Sequence, residues 1–127
     1  MSFDTRSKIV TLDQARALAR EQPPAIAFIT HLEVLGVGHI RKLENLAARA
    51  PGKLFIILTD PGSPLVPLAA RAEVAAGLRM VDYVIPSPDG AGPALAAIHA
   101  ALTVHDEEED RERTRLLVEH VRNRSRI

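Results

Sequence analysis

An α/β fold, with a mostly parallel sheet and helices on both faces, follows from three features of the sequence. Two short, wholly apolar runs, Ala25-Ile-Ala-Phe-Ile29 and Leu54-Phe-Ile-Ile-Leu58, have the composition of strands covered on both sides. Between and around them lie stretches with apolar residues at helical spacing. Strands alternating with helices imply βαβ units, right-handed crossovers and parallel pairing.

The elements are read in chain order. Thr11-Leu-Asp-Gln14 is a capping box, in which the Thr hydroxyl and the Gln amide can satisfy the first free amides of a helix. Leu12, Ala15, Leu18 and Ala19 then recur at helical spacing until Pro23-Pro24. After the strand at 25–29 comes a loop from Thr30 to Gly38. A second helix is expected from about His39 to Ala50, with Ile40, Leu43, Leu46 and Ala47 inward and Pro51-Gly52 as its stop. The strand at 54–58 leads into Thr59-Asp-Pro-Gly-Ser-Pro64, a loop dense in turn formers. An alanine-rich helix over 65–79 and a strand over 81–85, closed by Pro86, follow. Beyond an exposed connection, a helix over 94–102, a short strand at Leu102-Thr-Val104 and a charged helix from Glu107 to Arg124 complete the chain.

Composition narrows the function classes. The chain has 127 residues, the size of a single domain spanning 1–127, and is 46% hydrophobic but only 3% aromatic. Its core must therefore be aliphatic. Sixteen basic residues balance sixteen acidic ones, which argues against nucleic acid as a partner, since a basic excess or stripe would be expected. Absence of cysteine excludes disulfides, thiolate catalysis and zinc–thiolate sites. No apolar run of about 18 residues occurs, so no membrane association is expected and the protein reads as cytoplasmic.

In open α/β sheets ligands sit beyond the carboxyl ends of strands. The first such place is Leu35-Gly-Val-Gly-His-Ile40. Gly36 and Gly38 would let the backbone approach a ligand, and the helix that follows offers free amides and a positive dipole end. The three spaced glycines of dinucleotide-binding folds are missing.

Leu35-Gly-Val-Gly-His-Ile-Arg-Lys-Leu-Glu44 resembles the cytidylyltransferase-like family, in particular the adenylyltransferase domain of heptose-phosphate enzymes. Arg71-Ala-Glu-Val-Ala-Ala-Gly-Leu-Arg-Met-Val-Asp-Tyr-Val84 resembles that family's helix-to-strand segment, and Lys8-Ile-Val-Thr-Leu12 resembles its start. The resemblance covers roughly 8–86 and implies a Rossmann-like three-layer domain. It implies that His39 stabilises charge on the α-phosphoryl group of a nucleotide triphosphate. It also implies that Gly36, Gly38, Thr59, Asp60 and Arg71 surround the nucleotide or sugar phosphate. Magnesium would accompany an active enzyme, with no metal ligand assigned to the chain itself.

The sequence departs from the family where the chemistry is concentrated. Gly36 stands where the family has its first loop histidine, Leu32-Glu33 stands for its Phe-Asp pair, and the closing loop near the end has no counterpart. Removing one preorganised donor to a developing oxyanion costs roughly 3–4 kcal/mol of barrier. The expected protein is thus a divergent nucleotidyltransferase-like domain whose transfer activity is reduced or lost. The alternative is a non-catalytic scaffold or interaction module, with Leu116, Leu117, Val118 and Val121 docking on the sheet or on a second copy in a homodimer. Three residue groups carry plainer readings beside these. His31 reads as a solvent-facing or capping histidine, although it lies near the missing one. Arg71 could pair with Glu73 or Asp60 on the surface. The acids from Asp106 to Asp110 read as helix caps that do not converge on one point.

Overall fold

The computed structural model describes residues 4–49 and 51–124. It contains an all-parallel four-stranded sheet of order β3-β2-β1-β4, made by β1 (Ala25–Thr30), β2 (Lys53–Leu58), β3 (Tyr83–Pro86) and β4 (Leu102–His105). Five α-helices flank it: α1 (Leu12–Glu21), α2 (Val37–Arg49), α3 (Leu68–Ala76), α4 (Gly92–Ile98) and α5 (Glu107–Arg124). The two apolar runs are adjacent parallel strands, with Ala25 opposite Lys53 and Thr30 opposite Leu58. This is the Rossmann-like three-layer arrangement.

Alternation along the strands builds two cores. Ala25, Ala27 and Ile29 point with Phe55, Ile57 and Ile85 to one face, against Ala15 and Ala19 of α1 and Ala94, Ala97 and Ile98 of α4. Ile26 and Phe28 point with Leu54, Ile56 and Leu58 to the other, against Leu43 of α2 and Ala72, Ala75 and Ala76 of α3. Alanines on three of these helices let them lie close to the sheet. Each fully buried Phe, Ile or Leu contributes about 1.5–3 kcal/mol of transfer free energy.

Thr11 and Gln14 form the capping box reciprocally at the start of α1. Elsewhere several expected boundaries move, for local reasons. The third helix spans Leu68–Ala76 rather than 65–79, because the Glu33 carboxylate accepts from the amides of Leu65 (2.8 Å) and Val66 (3.0 Å). Those residues are thereby held in the loop. The fourth helix ends at Ile98 rather than 102, where His99 takes a left-handed conformation, φ 47°. That turn frees the chain to run as β4.

The second helix differs most in consequence. It begins at Val37, so His39 lies inside its first turn and not before it. The inward residues are His39 and Leu43, both fully buried, with Leu46 packed at the edge and Ala47 exposed. Residue 50, the expected end of this helix, lies outside the described residues. Among the described residues no helix is long and apolar enough to cross a membrane.

Candidate functional site

The apolar strands end in polar residues at one edge of the sheet. Thr30 closes β1, Thr59 follows β2, and Asp106 follows β4; all three are buried. Parallel pairing delivers these ends to the same edge, where the chain enters α2 and α5. Two polar clusters form there, each built around a buried histidine.

The first cluster centres on His39. Its Nε2 donates to Asp106 Oδ2 at 2.8 Å and lies 3.2 Å from Asp110 Oδ1, with all three side chains fully buried. A carboxylate can only accept, so Nε2 carries the hydrogen in the bond to Asp106. Asp106 also accepts from Thr30 Oγ1 (3.1 Å), Lys42 Nζ (3.0 Å) and Arg113 Nη2 (2.8 Å). Arg113 Nη2 lies against His39 Nε2 as well. Burial opposes a charged His39, but its hydrogen bonds to Asp106 and Asp110 outweigh this and raise its pKa above the ordinary value. Burial likewise opposes charge on Asp106, yet the bonds from His39 and Lys42 hold its carboxyl well below the usual range.

This geometry corrects the reading of the acidic run. Asp106 and Asp110, one helical turn apart, do converge on a single point, and that point is His39. Asp106 also serves the start of α5, its carbonyl accepting from the Asp110 amide at 2.9 Å. One donor atom from each of His39, Asp106 and Asp110 lies within 4.8 Å of the others. Lys42 and Arg113 already neutralise the carboxylates, however, and magnesium prefers an octahedron of oxygens. The set does not fit magnesium.

The second cluster centres on His31, which follows β1 directly. Leu32 next to it has φ 53°, a left-handed conformation uncommon outside glycine, which turns the chain sharply at the strand end. His31 is 2% exposed, not solvent-facing as its position suggested. Its Nδ1 lies 3.0 Å from both the carbonyl and the hydroxyl oxygen of Thr59, and that hydroxyl donates to Glu107 Oε2 at 2.6 Å. Among the described residues the opposite nitrogen, Nε2, is buried without a partner, as is Nδ1 of His39.

Arg71 ties the loops together from below. It is 1% exposed, and its guanidinium donates to the carbonyls of Val66 (2.9 Å), His31 (2.8 Å) and Thr59 (3.0 Å) and to the Asp60 carboxylate. Asp60 is the partner named for it in the plainer reading, but the pair is largely buried and not on the surface. Four donations leave little of the fork for phosphate.

The expected phosphate loop has a different character. Val37 is 64% exposed and Gly38 is also exposed, so the first turn of α2 opens to solvent. Neither Gly36 nor Gly38 has a positive φ, and a Cβ added at either would meet open space. The backbone therefore does not demand glycine at these positions.

A cavity of about 240 Å³ lies beside the His31 cluster, bounded by the loops after β1 and β2 and by α5. His31, Glu33, Ser63, Asp110, Arg111 and Thr114 are among its walls; Gly36, Gly38, His39, Thr59, Asp60 and Arg71 are not. A larger groove, about 390 Å³, lies between α1 and α4 near the start of β1, lined mostly by Ala and Pro and remote from both polar clusters. We favour the smaller cavity as the candidate site, because it alone of the two borders buried polar groups at the carboxyl ends of the strands.

No protein-family model matches this chain, and a search of curated proteins finds no significant match.

The sequence placed its candidate residues at the edge where the carboxyl ends of the strands gather, and at that edge both His39 and His31, the latter read as solvent-facing or capping, are buried. His39 sits at the core of an ion cluster, while His31 borders a cavity. One signal bears on the burial of His31: it lies two residues beyond the apolar run 25–29, and the strand built on that run is buried along its whole length.

Proposed function

We propose that this protein is a divergent nucleotidyltransferase-like domain that binds a nucleotide or sugar phosphate at the carboxyl edge of its sheet, with nucleotidyl transfer reduced or lost. The observation that carries this reading is the state of the loop histidines. Gly36 offers no imidazole, and the His39 side chain, at 0% exposure, is turned inward to Asp106 and Asp110. No preorganised cation from this loop then faces a triphosphate, and transfer loses the donors it depends on. Binding loses less. The exposed first turn of α2 retains its free amides and dipole, which favour phosphate. A cytoplasmic location belongs to the same proposal, because such ligands are cytoplasmic metabolites.

The competing reading, an interaction module that has kept the fold, draws on α5. Its only buried residue is Asp110, and Leu116 and Leu117 are 52% and 45% exposed. A homodimer through that helix belongs to this second reading.

Two assays on the natural protein separate them. Thermal melts with CTP, ATP and sugar phosphates, each with magnesium, should show stabilisation by at least one ligand. At a hundred times its dissociation constant the gain is about 2.7 kcal/mol, a rise of several degrees in a domain this size. Pyrophosphate release should stay at background. Absence of any thermal response favours the interaction module, and robust turnover abolished by His39→Ala refutes the loss of transfer.

A further inference from the structure

The two side edges of the sheet are finished differently. At the β3 edge the start of the chain covers the strand: Ile9 bridges Val84, and the Val10 amide donates to the Val84 carbonyl at 2.9 Å. Lys8 fastens that segment by donating to the carbonyls of Leu78 (3.2 Å) and Val81 (2.9 Å), and β3 ends on Pro86. At the other edge β4 pairs with β1 alone among the described residues. Its sequence, Leu-Thr-Val-His, has no proline or lysine to blunt an open edge.

One hydrogen bond fixes the direction of the backbone groups on β4. The Asp106 amide donates to the Ile29 carbonyl at 2.8 Å. Backbone groups alternate along a strand, so Leu102 and Val104 also turn theirs to β1. Thr103 and His105 turn theirs outward, where no strand meets them among the described residues. The side chains of Leu102 and Val104, in register with Ile26 and Phe28, lie on the α2 face. There Leu102 is 43% exposed, and Val104 borders a groove of about 250 Å³ lined also by Lys42, Asn45, Leu46 and Arg49.

Charge narrows what can lie on this edge. Lys42 is already matched by Asp106 and Glu109 at the carboxyl end of β4. Arg49 stands two helical turns further along α2, about 10 Å toward the amino end of β4. It is exposed and makes no ion pair with the described residues. Glu108, just beyond the carboxyl end of β4, is exposed and unpaired in the same way. An edge with a free base at one end and a free acid at the other is complementary to its own inverted copy. Nothing from α5 stands in the way, because that helix turns toward the loop after β2, where Arg111 and Thr114 border Gly62 and Ser63.

We infer that β4 pairs antiparallel with β4 of a second copy, joining two four-stranded sheets into one around a two-fold axis. Thr103 faces Thr103 of the partner subunit, and the two exchange both main-chain hydrogen bonds. Leu102 packs on Val104 of the partner subunit, and Arg49 meets Glu108 of the partner subunit. This interface is independent of the proposed function and uses a different face from a dimer through α5.

Sedimentation velocity of the full chain, over a range of micromolar concentrations, should show a reversible monomer–dimer equilibrium. Thr103→Pro removes an outward amide and spares the bonds to β1, which Leu102 and Val104 make. It should abolish the dimer while circular dichroism stays that of the natural protein. Arg49→Glu reverses two symmetric pairs at once and should weaken the dimer by about tenfold. Adding Glu108→Arg to that variant should restore the natural dissociation constant. Leu117→Glu on α5 should leave the dimer unchanged. A natural protein that stays monomeric throughout overturns the inference, as does a dimer that survives a folded Thr103→Pro or one that Leu117→Glu disperses. Where Thr103→Pro does not fold, the charge exchange decides: no loss with Arg49→Glu, or no recovery in the double variant, overturns the inference equally.

Discussion

His31 and His39 lie at the same edge of the sheet and are equally hidden from solvent, yet their surroundings differ in one decisive respect. Around His39 every charge has a counter-charge: two carboxylates face two cations, and the ring bridges them. Around His31 there is no ion pair: Nδ1 faces the carbonyl and hydroxyl oxygens of Thr59, and the residue borders a cavity. Burial alone therefore says little about function. Each ring has one buried nitrogen without a partner among the described residues, Nδ1 in His39 and Nε2 in His31, so what separates them is charge: His39 joins an ion cluster, whereas His31 is held by neutral groups.

The largest expected effect breaks the closed side of this comparison. Asp106→Ala removes the common acceptor of Thr30, His39, Lys42 and Arg113 and leaves cations facing an apolar gap. Breaking a buried pair in this way costs about 3–5 kcal/mol, enough to lower the melting temperature by roughly 10–15 °C. A melt within two or three degrees of the natural protein would show that the cluster is peripheral to stability.

Next in size is the pH dependence of the same cluster. The folded pKa of His39 is raised, so its contribution is complete below the unfolded value, about 6.5, and is lost as pH climbs through the folded value. Asp106 is depressed, so its contribution is present above about 3.9 and is lost as pH falls toward the folded value. Denaturant melts across pH should place the cluster's greatest support between about 4 and 6.5. His39→Gln should flatten the alkaline limb while the acid limb persists. Persistence of the full alkaline loss in that variant would assign it to another group.

The smallest effect belongs to the glycine loop. A Cβ at Gly36 meets nothing within 4 Å and the residue has no positive φ, so Gly36→Ala should change stability by no more than about 0.5 kcal/mol. A larger loss in denaturant melts would reveal a constraint on this loop that its backbone does not display.

The fold was legible because its signals are local and repeated. The apolar runs at 25–29 and 54–58 could only be strands covered on both sides, and they pair as expected. Helix ends were less legible, since they depend on distant partners. Nothing near Leu65 or Val66 announces that Glu33, some thirty residues earlier, holds their amides. The site was half legible for the same reason. The β1 connection is visible in sequence, but its polar residues are completed by Asp106, Glu107 and Asp110, which arrive from beyond β4. Helical periodicity placed Ile40 and Ala47 inward because it ranks residues by apolarity. The buried face instead contains His39, whose burial is tolerated only because those later acids meet it.

Nitrogen-resolved NMR of the imidazoles in the natural protein tests the division between the two histidines most directly. The account predicts a hydrogen on Nδ1 of His31, facing the Thr59 carbonyl, and a hydrogen on Nε2 of His39, facing Asp106. A His39 ring without a hydrogen on Nε2, or a His31 ring without one on Nδ1, would contradict it.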